Sequence, residues 1–218
     1  MLVLNETLLV AKGQRCLVYS HPNDNNLLIK VLNAQFCNKN SFKARLLKRI
    51  PAIHRFRLSK CYIRELIESV RLRFNDNYSP PICLQKVTGI VDTNLGPGIV
   101  VWAERGRDGH YAPTLKHLIQ THQFNDQVQR KLEEFYHQLA HCDVAVSDTV
   151  PRNLVYAYDK TVGDHFVLID GIGEKTLLPY LRLSAYLRKR FRLRQIKQLK
   201  KRVITSLHKM NDNSSKIS

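Results

Sequence analysis

The chain lacks most of the devices that would assign it quickly. Its five cysteines, Cys16, Cys37, Cys61, Cys83 and Cys142, are scattered, odd in number and never in a CxxC spacing, which argues against a disulfide framework and a zinc site. There is no HExxH, no GxSxG and no Cys-His signature, so neither a zincin nor an acyl-transfer site is written in the sequence. Long apolar runs are missing too. The opening MLVLNETLLV has no basic region before it, carries Glu6 and is too short to span a bilayer, so neither a signal peptide nor a transmembrane helix fits and a cytoplasmic protein is expected. No internal repeat or low-complexity tract interrupts the 218 residues, a length suited to one domain or two small lobes.

Acidic residues are missing from two long stretches. Between Asn25 and Arg64 there are ten Lys or Arg, and between Leu181 and Met210 eleven, with no Asp or Glu in either. The formal charge of +17 therefore belongs to these segments, because the remainder holds fourteen basic against eighteen acidic side chains. Solvated helix faces usually interleave acids. Segments without them suit an anionic partner: nucleic acid, acidic lipid or acidic protein.

Residues 2 to 33 read as a three-strand meander, LVLNETLLV, LVYS and LLIKVL, broken at Lys12-Gly13-Gln14 and at HPNDNN. A basic stretch over 33–59 follows. Then CYIRELIESVRL places Ile63, Leu66, Ile67 and Val70 at helical spacing, predicting a helix over 60–73 with that apolar stripe. QKVTGIVD and PGIVVWAE form a hairpin across Thr-Asn-Leu-Gly, with Trp102 expected to pack. TLKHLIQ begins a helix, and Asn125 caps DQVQRKLEEFYHQLAH, whose Val128, Leu132, Phe135 and Leu139 make one face. His137 and His141 in that helix read as a solvated pair, since no third ligand accompanies them. The order implies a β-rich part over 1–104, a connector at 105–110, a helical part over 111–210 ending in basic helices, and a frayed polar tail at 211–218.

The most informative stretch is SDTVPRNLVYAYDKTVGDHFVLIDGIGE, residues 147 to 174. Phosphoryl transfer needs oxygen ligands for a divalent metal, a lysine on the phosphates and a carboxylate that orients the attacking hydroxyl. Asp148 and Asn153 have the D-x-x-x-x-N spacing that holds an Asp toward a substrate and returns an Asn oxygen to a metal. Two strands, LVYAY and FVLI, then carry the chain to Asp170, where Gly171 lets the backbone turn sharply. Upstream, Lys30 in LLIKV has the strand context of a phosphate-binding lysine, with Glu65 as its ion-pair partner or Glu68 in its place. Taken singly, each residue also fits a plainer role: Asp148 a turn or cap carboxylate, Asn153 a strand-start side chain, Asp170 a strand-end cap, Lys30 a solvated edge lysine and Glu65 a surface residue.

Taken together, these motifs resemble a protein-kinase-like fold, and more closely the small bacterial YrbL family of PhoP regulatory network proteins. The likeness runs over roughly residues 8 to 180 and is carried by DGIGEKTLLP after Asp170, by GQRCLVYSHP and by the Arg64–Leu66 triplet REL. It implies an α+β, bilobal fold with a β-rich N-lobe and a small, mostly helical C-lobe containing a catalytic-loop β-hairpin. It also implies ATP and Mg²⁺ as cofactors, with Asp148 orienting an acceptor hydroxyl, Asn153 and Asp170 on the metal, Lys30 on the phosphates and Glu65 fixing the lysine. Gly13 would lie at the phosphates, and the strand carrying Val101 and Glu104 would lead to the adenine.

The chain departs from kinases in places that bear on transfer. Gly13 is the only glycine where kinases have three. Val146 and Ser147 replace the His-Arg before the catalytic Asp, and Val150 replaces a loop lysine. Asp170-Gly171-Ile172 stands for Asp-Phe-Gly, and no Ala-Pro-Glu segment follows. The expectation is therefore phosphoryl transfer to an unidentified acceptor, with a pseudokinase that binds without transferring as one alternative. The other is an anionic-surface or nucleic-acid binder working through 33–64 and 181–210.

Overall fold

A computed structural model describes residues 1–13, 15–33, 64–74, 81–173 and 184–214. The basic stretch over 33–59 lies, beyond Asn33, outside the described residues, as does the EKTLLP part of the resemblance motif after Gly173. Two compact units emerge: Met1–Leu66 with Lys86–Ala103, and Ile67–Gln85 with Glu104–Ser218. The architecture is α+β, with an antiparallel sheet, a separate hairpin and a few helices.

The first unit is a five-stranded antiparallel sheet. Its strands are β1 (Leu9–Lys12), β2 (Cys16–His21), β3 (Asp24–Leu32), β4 (Val87–Thr93) and β5 (Gly96–Trp102), in the order β1-β2-β3-β5-β4. The expected meander is present, but its first apolar stretch is divided. Only Leu9–Lys12 pairs as a strand, Glu6–Leu8 forms a 3-10 turn, and Leu2 bridges Thr93. The β4–β5 hairpin closes as expected at Thr93-Asn-Leu-Gly96, where Gly96 has φ +102°, a value that suits glycine.

Alternation along β3 splits the apolar residues between two faces. Ile29 and Val31 pack with Leu4, Tyr19 and Val100. Leu28 packs on the other side with Val87, Ile99, Val101 and Leu66. Lys30 shares the face of Leu28, so an apolar wall surrounds a lysine. Trp102, expected as packing, is 41% exposed, with the Lys86 ammonium 5.9 Å from its ring centroid.

The second unit has one large core. Helix α1, residues 64–74, contributes 67–74 to it. The helices α2 (Leu115–Gln120), α3 (Asp126–His141) and α4 (Ala185–Ser214) and the hairpin β6 (Leu154–Asp159)–β7 (Gly163–Leu168) supply the rest. The α3 reading holds: Asn125 accepts from Val128 N–H, and Val128, Leu132, Phe135 and Leu139 are buried against Leu115, Phe166, Leu168 and Leu199. Such a cap is worth about 1 kcal/mol. His137 and His141 stand exposed, their rings tilted by 38° with centroids 4.3 Å apart.

The α1 reading needs correction. Val70 is 51% exposed, whereas Arg64, Glu65, Glu68 and Leu72 are buried; Ile63 is outside the described residues. A largely charged face is turned inward, because acids and bases elsewhere in the chain meet it. Cysteine sulfurs also meet without a disulfide: Cys83 Sγ lies 3.6 Å from Cys142 Sγ in a thiol hydrogen bond, and that bond, with burial, pushes the Cys83 thiol well up.

Candidate functional site

In the first unit, Lys30 Nζ donates to Glu65 Oε1 at 3.0 Å, with both side chains about nine-tenths buried. The choice between Glu65 and Glu68 is thus answered by geometry: Glu65 meets the lysine, and Glu68 turns to Arg71 at 2.9 Å. Gly13 is in the β1–β2 turn. Its N–H donates to Cys16 carbonyl at 2.9 Å, its carbonyl accepts from Asn33 Nδ2 at 3.2 Å, and a Cβ there would stand 2.8 Å from Cys16 O. Val101 points into the apolar cluster behind Lys30.

In the second unit, the hairpin ladder sets the spacing. Leu154 pairs with Leu168, and one step further Ile169 N–H donates to Asn153 O. Asn153 therefore sits opposite the residue before Asp170. A short pairing of 145–147 with 171–173 completes the arrangement. Val146 bridges Ile172, Gly173 N–H donates to Ala145 O at 2.7 Å, and both Ser147 N–H and Ser147 Oγ–H donate to Gly171 O. The Asn153 amide donates to Asp148 O at 3.1 Å. Asp148, Asn153 and Asp170 thus share one small region, on a 3-10 turn (Pro151–Asn153) and two strand ends.

Gly171 is the keystone of that contact. It has φ +87°, and a Cβ on it would stand 2.5 Å from Asp148 O, a distance no side chain tolerates. Its N–H caps Asp170 Oδ1 at 2.6 Å, orienting that exposed carboxylate.

Among the described residues no three His, Cys, Asp or Glu side chains cluster as metal ligands. What the loop offers is one exposed carboxylate, Asp170, and the buried Asn153, whose NH₂ donates to Asp148 O and whose side-chain oxygen is an acceptor. That donor set suits Mg²⁺, which takes one or two protein oxygens and completes its octahedron with phosphate and water. It suits zinc poorly.

Sequence reading missed the supports of this loop. Arg188 Nε and Nη2 donate to the two oxygens of Asp143 at 2.8 and 2.7 Å, and Arg71 Nη1 joins at 2.8 Å. The Arg188 and Arg71 guanidiniums hold Asp143 down at about 2. Arg71 also donates to the Asp143 carbonyl. The buried Glu68 carboxylate accepts from Ala145 N–H at 3.1 Å. Arg192 donates to Val144 O, Arg202 to Thr149 O, and Thr149 Oγ–H to Gln195 O. Part of the basic helix is thus directed inward at the segment leading to Asp148. A signal existed in the apolar residues interleaved with these arginines, since a freely solvated helix has no need of them.

Glu104 belongs to the second unit, where its carbonyl accepts from Ala112 N–H. Burial, reinforced by the Asp159 carboxylate, raises Glu104 to about 7.

The fold and loop define an α+β protein whose acidic and amide side chains converge beside a hairpin. The family model described as PhoP regulatory network protein YrbL matches residues 2–204, and the chain belongs to that family. The family's description links it to a PhoP regulatory network. No curated protein matches the chain. Among the described residues, no helix is long and apolar enough to cross a membrane.

Proposed function

We propose that the chain is a kinase-like protein that binds ATP with Mg²⁺ and transfers a phosphoryl group to a hydroxyl acceptor within a bacterial PhoP-type regulatory network. The observation that carries this reading is the buried Lys30–Glu65 pair, a strand lysine held by a helix glutamate at 3.0 Å. A buried ion pair is weak evidence for stability, since apolar residues of the same volume often do as well. Its retention in an apolar wall is better explained by work on a phosphate. The second unit supplies matching chemistry: Asp148 to orient the acceptor hydroxyl, and Asn153 and Asp170 to hold the metal. Bound Mg²⁺ would neutralise charge developing on the phosphoryl oxygens.

A second reading, nucleotide binding without transfer, is favoured by the β1–β2 turn. The Gly13 N–H already serves Cys16 O, and Val150 offers no cation beside Asp148, so stabilisation of transferring charge is reduced more than binding.

Calorimetric titration of ATP with and without Mg²⁺ tests the common part. Magnesium-dependent binding that Asp170→Ala abolishes is expected; binding that is absent, or unchanged in Asp170→Ala, overturns the assignment. ADP release in a coupled assay, with candidate hydroxyl acceptors present, then separates the two readings.

A further inference from the structure

A cavity of about 530 Å³ opens where α2, the turn joining Asp148 to Asn153, and the C-terminal helix α4 meet. Its described lining brings four cations together: Lys116 from α2, Arg152 from the turn, and Lys201 and Arg202 from α4, with no carboxylate among them. Two other cavities of similar size have carboxylates in their walls, Glu133 and Glu134 in one and Asp164 in the other. Like charges gathered without acids repel one another, and a ligand of opposite charge relieves that repulsion.

We infer that this cavity is a binding site for a small phosphate ester of a polyol, a site distinct from the one assigned to nucleotide and independent of that reading. The anion follows from the four cations. Lys116, Arg152 and Lys201 have no ion-pair partner among the described residues. Arg202 spends one N–H on Thr149 O and keeps the rest of its fork, the geometry that grips phosphate in two places. The polyol follows from the hydroxyls. Thr205 Oγ–H donates to Lys201 O and Ser206 Oγ–H to Arg202 O, at 2.9 and 2.8 Å. Their protons are therefore committed, and their oxygens are left as acceptors on residues that line the cavity, which suits a ligand's own hydroxyl groups. The size follows from the volume, which falls in the range of small-molecule sites. Val150 and Pro151 give the cavity an apolar wall, which a flat polyanion surface would not need.

The test is calorimetric titration of the full chain with glucose 6-phosphate and with glycerol 3-phosphate, using glucose as the uncharged control. The comparison is the Arg152→Glu/Lys201→Glu variant, at two exposed positions whose loss removes no contact of the fold. Binding of either ester, no binding of glucose, and a loss of at least about tenfold in the variant is expected from removing two charge-assisted contacts. Binding only to vesicles containing phosphatidylinositol phosphate, with the same loss in the variant, supports the same chemistry presented by a lipid headgroup. Absence of binding to every probe overturns the inference. So does equal binding in the variant, or binding to duplex DNA that neither ester competes for. Should the double variant melt below the parent, Lys116→Glu on a different helix gives the same readout.

Discussion

The two units hold their candidate residues by opposite means. In the first, Lys30 and Glu65 are fixed by burial: β3 alternation turns the lysine toward an apolar cluster, where an ion pair joins it to Glu65. In the second, the buried Asn153 and the more accessible Asp148 and Asp170 stand on turns and strand ends, and shape comes from backbone pairing of 145–147 with 171–173 and from arginines of a distant helix. Burial makes a pair intolerant of losing one member. A loop held by many modest contacts is instead sensitive to anything that separates its strands.

The largest expected effect breaks the first mode. Lys30→Met leaves Glu65 buried without the lysine and should cost roughly 3–5 kcal/mol, while the double change Lys30→Met/Glu65→Leu recovers most of it. Urea denaturation of the three variants measures both, and equal losses in single and double variants would refute the account.

Next is Gly171→Ala, which forces a left-handed backbone on alanine and drives a Cβ into Asp148 O. The expected loss is about 2–3 kcal/mol, read as a lowered melting temperature, together with loss of Mg²⁺-dependent nucleotide binding.

Asp143→Asn is milder, about 1 kcal/mol, because the carboxylate is 44% exposed and solvent screens it. Its pH signature is more telling. A carboxyl held at about 2 in the folded protein, against an ordinary 3.8, stabilises fully above that ordinary value and loses its contribution as pH falls toward 2. Acid titration of the parent should show this loss, and Asp143→Asn should lack it.

The last effect, read in pH dependence alone, concerns Glu104, with the opposite sign. Its folded value is raised from 4.5 to about 7, so the folded state binds the extra proton and stability falls as pH rises across that window. Glu104→Gln should flatten the slope there; an unaltered slope would assign the effect elsewhere.

Local signals were the legible part of the fold. The Asn125 cap, the α3 stripe and both hairpin turns follow from residues within a few positions of one another, and each is found where the sequence puts it. Beyond the Lys30–Glu65 pairing, the inward face of α1 was not legible, because Arg71 and Glu68 are satisfied by Asp143 and the Ala145 N–H, 72 and 77 residues away. Hydropathy periodicity counts a charge as exposed unless its partner is known. The same limit hid Arg188 and Arg192, which read as surface charge and are buried. Of the candidate site, the order Asp148, Asn153, Asp170 was visible as spacing. That Gly171 presses directly on Asp148 is a property of the folded backbone alone.

The arginines of α4 also impose an order in time. Arg188, Arg192 and Arg202 follow their partners in the loop by 45, 48 and 53 residues. During synthesis the hairpin and its two aspartates leave the ribosome well before the groups that hold the preceding segment in shape. Contacts of such sequence separation form late. The nascent chain therefore acquires its carboxylates early, and the contacts that fix the segment before them only once these later arginines have been made.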